Sequence, residues 1–195
     1  MRAIPPSNIC SIVPEKSARF ELDLPNTWGL KTLTTKRLHL RGWRPEDEAP
    51  FAAINADPEV ARYLRGRPET AEETAALLER IRQHWQKWGY GLWAVERIAD
   101  LRFIGFVGFS HHGWFQDRVE LGWRLSRECW GHGLATEGAQ AALAYGLETL
   151  GLEQIISVIH RDNAASRRVA EKIGMHLERE AQHEDLPIVV YLRRA

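Results

Sequence analysis

Between Thr70 and Gly91 the apolar positions Leu77, Leu78, Ile81, Trp85 and Trp88 return every three or four residues, the period of a helix with one buried side. Thr70 and Glu73 stand at capping-box spacing ahead of them, and Gly89 and Gly91 mark the exit. The tryptophans of this helix read as core packing rather than as the wall of a ligand site, because large apolar side chains are most often buried. Upstream, Leu33, Leu38 and Leu40 with Trp43 suggest one extended strand that ends at the Arg44–Pro45 step. Pro45, Glu46 and Asp47 suit a first helical turn with Phe51 and Ile54 on its buried side, and Pro50 is expected to interrupt or shorten that helix. Asp57-Pro58-Glu59 is a second N-cap signature.

Beyond Gly91 the pattern changes to strands. Leu92 to Arg97, Phe103 to Ser110 and Val119 to Leu125 are joined by a polar link at Asp100 and by a link containing Gly113 and Gln116-Asp117, which predicts an antiparallel meander. A helix is expected from about Leu134 to Leu150, stopped by Gly151, and Ile155 to Ile159 is a continuous apolar strand. A helix over Asn163 to Ile173 and strands at Met175 to Glu180 and Ile188 to Leu192 complete the chain. This order describes an α+β fold whose sheet contains one parallel crossover.

At 195 residues and 44% apolar composition the chain is long enough for one domain with a sizeable core. Residues 1–30 carry Pro5, Pro6, Pro14 and Pro25 without a period and read as an irregular extension before a domain spanning residues 31–195. Lys plus Arg and Asp plus Glu balance at 26 each, so no net field favours nucleic acid or an anionic membrane as partner. No apolar run has the length of a bilayer span and no secretory signal pattern opens the chain, which places it in the cytoplasm. Cys10 and Cys129 are the only cysteines, too few for a disulfide framework or a four-ligand structural zinc site.

The candidate chemistry begins at Glu120-Leu-Gly-Trp-Arg-Leu-Ser-Arg-Glu-Cys-Trp-Gly131-His-Gly133-Leu-Ala-Thr-Glu137. A strand enters a turn with two glycines separated by one residue, and a helix opens directly after it. Unpaired N–H groups and the helix macrodipole then face outward together, which makes an anion site without a basic side chain. The pattern is neither a Walker A loop, which needs a Lys-Ser/Thr after the second glycine, nor G-x-G-x-x-G. A tight turn without a ligand fits the same spacing.

A second segment, His160-Arg-Asp-Asn163-Ala-Ala-Ser166-Arg-Arg-Val169-Ala170-Glu-Lys-Ile173-Gly174-Met175, follows the apolar strand. Asn163 as N-cap puts Ser166 at the third helical position, on the face of Val169, Ala170 and Ile173 that must be buried. A hydroxyl then looks toward the carboxyl ends of the parallel strands, where open α/β sheets bind ligands. Plain capping roles for Asn163 and Ser166 fit the spacing equally well.

Glu120-Leu-Gly-Trp-Arg-Leu, Trp130-Gly-His-Gly-Leu-Ala-Thr-Glu137 and Asn163-x-x-Ser166 with Lys172-Ile-Gly174-Met175 resemble, in this order, the motifs of the GNAT N-acetyltransferases, in their RimJ/RimL-like branch. The resemblance extends over about residues 33–195, including Leu33-Thr-Thr-Lys-Arg-Leu-His-Leu-Arg41. It implies an α/β/α arrangement, with a mixed, mostly antiparallel sheet and a central splayed parallel pair flanked by helices. It also implies acetyl-CoA as acyl donor and a primary amine as acceptor, with direct attack in a ternary complex and no metal. On the same resemblance the amides of Gly131, His132, Gly133, Leu134 and Ala135, beside Trp130, would hold the diphosphate. The pantetheine arm would pair with main-chain groups near Trp123 and Leu125, with Gly122 in a bulge, while Asn163 touches the arm and Ser166 sits near the sulfur. Relatives often carry Gln or Arg three residues before the first glycine, where this chain has Glu128. Many relatives pair as homodimers.

Ser166 is the candidate proton donor to the leaving sulfur, and Glu120 the candidate base or water-relay anchor. His111 and His112 are rival bases, and as adjacent strand residues they point to opposite faces and would not chelate a metal together. Arg161, Arg167 and Arg168 read as solvated helix surface rather than phosphate ligands. A non-catalytic acyl-CoA-binding module would use the same cradle. The acceptor could be a protein α-amine, a free amino acid or another small amine.

Overall fold

The computed structural model describes residues 31–64, 66–111 and 118–195. The N-terminal extension with Cys10, and the link with His112, Gly113 and Gln116–Asp117, lie outside the described residues. Strands β1 (Leu33–Thr34), β2 (Leu38–Arg41), β3 (Leu92–Arg97), β4 (Arg102–His111), β5 (Val119–Leu125), β6 (Gln154–His160), β7 (His176–His183) and β8 (Leu186–Arg194) form one sheet. Its order is β1-β2-β3-β4-β5-β6-β8-β7, and every neighbouring pair is antiparallel except β5 and β6. The single parallel crossover expected from the chain order is therefore present.

Helices α1 (Glu48–Asn55), α2 (Pro58–Ala61) and α3 (Ala71–Trp88) precede the meander, α4 (Leu134–Ala144) fills the crossover, and α5 (Ala164–Lys172) follows β6. α4 lies on the sheet face that carries Leu38 and Val107: a β-carbon on Gly138 would stand 3.4 Å and 3.2 Å from them. α1 covers the opposite face, where Phe51 meets Phe103 at 6.2 Å and Phe106 at 5.9 Å. Two residues three apart reach one face because a register shift between Val95 and Glu96 takes Ile104 out of the ladder. α3 packs on α1, joined by the hydrogen bond from Asn55 Nδ2 to Thr74 Oγ1 (3.0 Å).

The capping signals hold. Asp57 accepts from the Glu59 amide at 2.8 Å, and Thr70 and Glu73 form the reciprocal box, at 3.2 Å and 2.9 Å. Other expectations are corrected. The strand drawn through Leu33 to Trp43 is a hairpin, because the Thr35 hydroxyl accepts from the Leu38 amide (3.0 Å) and folds β2 back on β1. Pro50 does not interrupt its helix but does limit it: Pro45–Asp47 form a 3-10 turn and α1 starts at Glu48, so Pro50 falls in a first turn that needs no N–H donor. Trp85 is core and donates to the Leu92 carbonyl (2.9 Å), but Trp88 is 41% exposed and stacks on His111, with ring centroids 4.0 Å apart. Gly122 sits in unbroken register opposite Gly108 rather than in a bulge. The helix after Gly133 reaches Thr149 as expected, with its last turn widened to a π-turn over Tyr145–Thr149.

Candidate active site

β5 has two unlike neighbours. Against β4 it pairs continuously, from Val119–His111 to Leu125–Gly105, whereas against β6 the register is confined to Glu120 opposite Ile156. Just past that point the buried Ser157 hydroxyl donates to the Leu121 carbonyl at 2.6 Å. A side chain thus takes an acceptor that a continuing ladder would use, and the strands part toward their carboxyl ends. Alternate residues turn their main-chain groups to opposite edges, so the N–H and C=O of Trp123 face the same open edge as the Leu121 carbonyl. Leu125 faces it too, but its carbonyl accepts from the Trp130 indole at 2.8 Å. Of the two pairing positions expected from sequence, among the described residues Trp123 has no partner on this edge for either group and Leu125 none for its N–H.

The turn after β5 brings the main chain to the mouth of this opening. Gly131 and Gly133 have φ of 78° and 75°, a conformation other residues resist. Glu137 N–H donates to the Gly133 carbonyl (3.0 Å), which leaves the amides of Leu134, Ala135 and Thr136 in the unpaired first turn of α4. No described residue accepts from the amides of Gly131, His132 or Gly133. A β-carbon on Gly131 would meet no described atom within 4 Å, so a side chain there would enter open space beside the turn. Backbone donors, a helix mouth and free volume fit a diphosphate. Glu128 points its charge to Arg102 (2.8 Å).

A strut that the sequence reading missed braces the turn. Arg37, on the β1–β2 turn, donates through Nε to Glu137 Oε2 (2.6 Å) and through Nη1 to the His132 carbonyl (2.9 Å). The Arg37 amide and the Thr35 hydroxyl both donate to Glu137 Oε1, at 2.8 Å and 2.6 Å. Burial alone would raise the Glu137 carboxyl, but the hydrogen bonds from Thr35 and Arg37 and the guanidinium charge outweigh it and hold it below the usual carboxylate range. No local signal marks Arg37, since its partners lie about a hundred residues away.

Asn163 caps α5, its Oδ1 accepting from the Ser166 amide at 3.0 Å, and Ser166 is half-buried in the first turn. α5 covers the β8 face of Tyr191, whose hydroxyl donates to Glu171 (2.8 Å). Tyr191 pairs with Ser157, so this face carries the odd-numbered residues of β6. Glu120, in register with Ile156, projects from the other face, with Gly122 and Arg124. The two candidate catalytic residues therefore flank the splay from opposite sides of the sheet. Arg124 is fixed there by Asn55 Oδ1 (2.7 Å), Glu69 (3.4 Å) and the ring of Phe106 (5.4 Å).

A family model described as "Acetyltransferase (GNAT) domain" matches residues 37–176. The chain belongs to the GNAT acetyltransferase family. Among curated proteins, this GNAT chain is 33% identical over 173 residues to YkkB of Bacillus subtilis, covering 84% of this chain and 95% of that protein. It is 31% identical over 166 residues to the FsC-acetyl coenzyme A-N(2)-transacetylase of Aspergillus fumigatus, covering 80% of this chain and 70% of that one. The crystal structure of an acetyltransferase from Agrobacterium tumefaciens superposes with a TM-score of 0.76 at 30% identity, over 85% of this chain and 95% of that chain. The protein is thus a GNAT-type acetyltransferase, and the sheet, splay and helix-mouth turn are that family's fold.

In this GNAT frame His111 belongs to an aromatic cluster. Its Nε2 shares a hydrogen bond with the Tyr90 hydroxyl (2.6 Å), and its amide donates to His84 Nε2 (3.2 Å). It alternates with Ser110, which is in register with Glu120, so its ring leaves the sheet on the face away from Glu120. Arg167 donates to the Arg161 carbonyl (3.2 Å) and to Tyr191 (3.3 Å), while Arg161 and Arg168 are exposed. No helix among the described residues is long and apolar enough to cross a membrane.

Proposed function

We propose that this chain is a RimJ/RimL-like N-acetyltransferase that moves the acetyl group of acetyl-CoA to a primary amine by direct attack in a ternary complex. The observation that carries this reading is the edge of β5: Trp123 offers a main-chain donor and acceptor to the opening, and the turn that follows ends in unpaired amides. The diphosphate sits on the amides of Gly131 to Ala135 beside Trp130. The pantetheine arm lies along β5 as an extra strand, with Asn163 alongside. The motifs quoted from the sequence support the branch, and the name of the Aspergillus relative, an N(2)-transacetylase, supports nitrogen as the acceptor.

The arrangement divides the reaction between the two faces of the sheet. The donor enters from the side of α4 and α5, where Ser166 protonates the leaving sulfur. The acceptor arrives from the side of α1, where Glu120 takes a proton directly or through water. A β5 amide near Trp123 stabilises the oxyanion, and holding both reactants in one cleft lowers the entropic cost of attack. An α-amine with a pKa of about 7.8 is neutral in roughly one molecule in seven at pH 7, whereas a lysine-like amine at about 10.4 is neutral in roughly one in a few thousand, so only the second depends heavily on a base. The enzyme works in the cytoplasm without a metal.

The test incubates the protein with acetyl-CoA and a panel of peptide α-amines, amino acids and polyamines while free thiol is followed. Amine-dependent thiol release is expected, with Ser166→Ala lowering kcat more than it raises KM and Glu120→Gln shifting the pH profile of kcat. Coenzyme A binding without thiol release by any amine would contradict the reading.

A further inference from the structure

Arg37 combines four features. Its guanidinium is anchored at two points, Nε on Glu137 and Nη1 on the His132 carbonyl. Its remaining nitrogen, Nη2, has no acceptor among the described residues and lies 3.6 Å from where a β-carbon on Gly133 would stand. The side chain is 45% exposed, so the guanidinium is open to solvent beside the turn. The position that could supply a cation from the turn itself holds Glu128, whose charge is directed at Arg102.

A planar guanidinium fixed by two of its donors holds the third in a set direction at little further entropic cost, which a flexible lysine would not do. Glu137, in the first turn of α4, opposes an incoming anion, and Arg37 neutralises it while keeping Nη2 free. We infer that Arg37 is a diphosphate-binding residue of this acetyltransferase, its Nη2 donating to an oxygen of the group seated on the amides of Gly131 to Ala135. The inference rests on the proposed location of the diphosphate and adds to it a charge from a strand turn remote in sequence.

The experiment separates contact with the diphosphate from bracing of the turn. Coenzyme A is titrated calorimetrically into the wild type, Arg37→Ala, Arg37→Lys and Glu137→Gln, and turnover is compared with acetyl-CoA and with S-acetylpantetheine, which lacks the diphosphate. Loss of a charge-assisted hydrogen bond weakens coenzyme A by about 10- to 100-fold in Arg37→Ala, with a smaller loss in Arg37→Lys. KM for acetyl-CoA rises with kcat unchanged, and the parameters for S-acetylpantetheine stay at the wild-type level. The difference between wild type and Arg37→Ala narrows as salt is raised. Glu137→Gln removes the counter-charge but keeps an amide oxygen that can accept from Arg37 Nε, so Arg37 stays anchored and coenzyme A binds at least as tightly as to wild type. Equal coenzyme A affinity in Arg37→Ala overturns the inference, as does an equal loss toward S-acetylpantetheine or in Glu137→Gln, which would assign Arg37 to bracing alone. A wild type that fails to bind coenzyme A would instead overturn the placement of the diphosphate itself.

Discussion

The two edges of β5 carry the same backbone and do different work. On the β4 side each residue from Val119 to Leu125 has a partner, and the ladder is covered by α1 on one face and α4 on the other. On the β6 side pairing stops at Glu120–Ile156, and Ser157 takes the next acceptor. An unsatisfied strand edge is costly to bury, and here it opens instead on the mouth of α4, whose own amides are unpaired. Two incomplete hydrogen-bond systems placed end to end make one surface for a long ligand with an amide-bearing arm and a charged head. Neither is a defect of packing: the same residues that leave them open, Ser157, Gly131 and Gly133, are the ones that fix their shape.

The comparison breaks most completely at the turn. Gly131→Asp places a carboxylate where the diphosphate should sit and strains a backbone at φ 78°. Like charges in contact cost several kcal/mol, so coenzyme A affinity should fall by about 100-fold or more and the thermal shift with acetyl-CoA should vanish. An unchanged shift would remove the anion site from the account.

Gly122 sharpens it next. Its φ lies outside the left-handed region and no described atom comes within 4 Å of its would-be β-carbon, so neither backbone strain nor packing requires glycine there. Gly122→Val fills space between Glu120 and Arg124 on the acceptor face, and kcat/KM for the amine should drop about 10-fold while coenzyme A affinity holds. Equal losses in both would show that the side chain enters the donor site instead.

At the point where the strands part, Ser157→Ala leaves the buried Leu121 carbonyl without its donor. A loss of about 1–2 kcal/mol is expected, read as a fall of several degrees in Tm.

The smallest effect is a pH dependence. The folded Glu137 pKa lies below its unfolded value, so its contribution to stability is present above the unfolded pKa and is lost as pH falls through the folded one. Glu137→Gln should be less stable than wild type by about 1 kcal/mol near pH 7, and the difference should disappear in acid. A constant difference across the titration would mean that the carboxylate charge is not what Arg37 and Thr35 hold.

Local signals read well from the chain. The caps at Asp57 and Thr70, the meander and the helix opening after Gly133 depend on residues within a few positions of each other, and they appear where the pattern put them. What was illegible depends on distant partners. Trp88 shares the helical period of Trp85 but faces His111 rather than the core. The hairpin at Thr35 hides in an apparently continuous strand, and it is this hairpin that brings Arg37 to Glu137. Ser157 looks like a neutral interruption of an apolar run until its hydroxyl is found on the neighbouring strand. Gly122, read as a bulge, stays in register opposite Gly108.

The central claim is that the open edge and the open turn bind one ligand, and amide hydrogen exchange with and without coenzyme A tests it most directly. Exchange at Trp123 and at the amides from Gly131 to Ala135 should slow together on binding, while the β4-facing amides of Gly122 and Arg124 stay as they were. Slowing at the turn with Trp123 unaffected, or at neither, would contradict it.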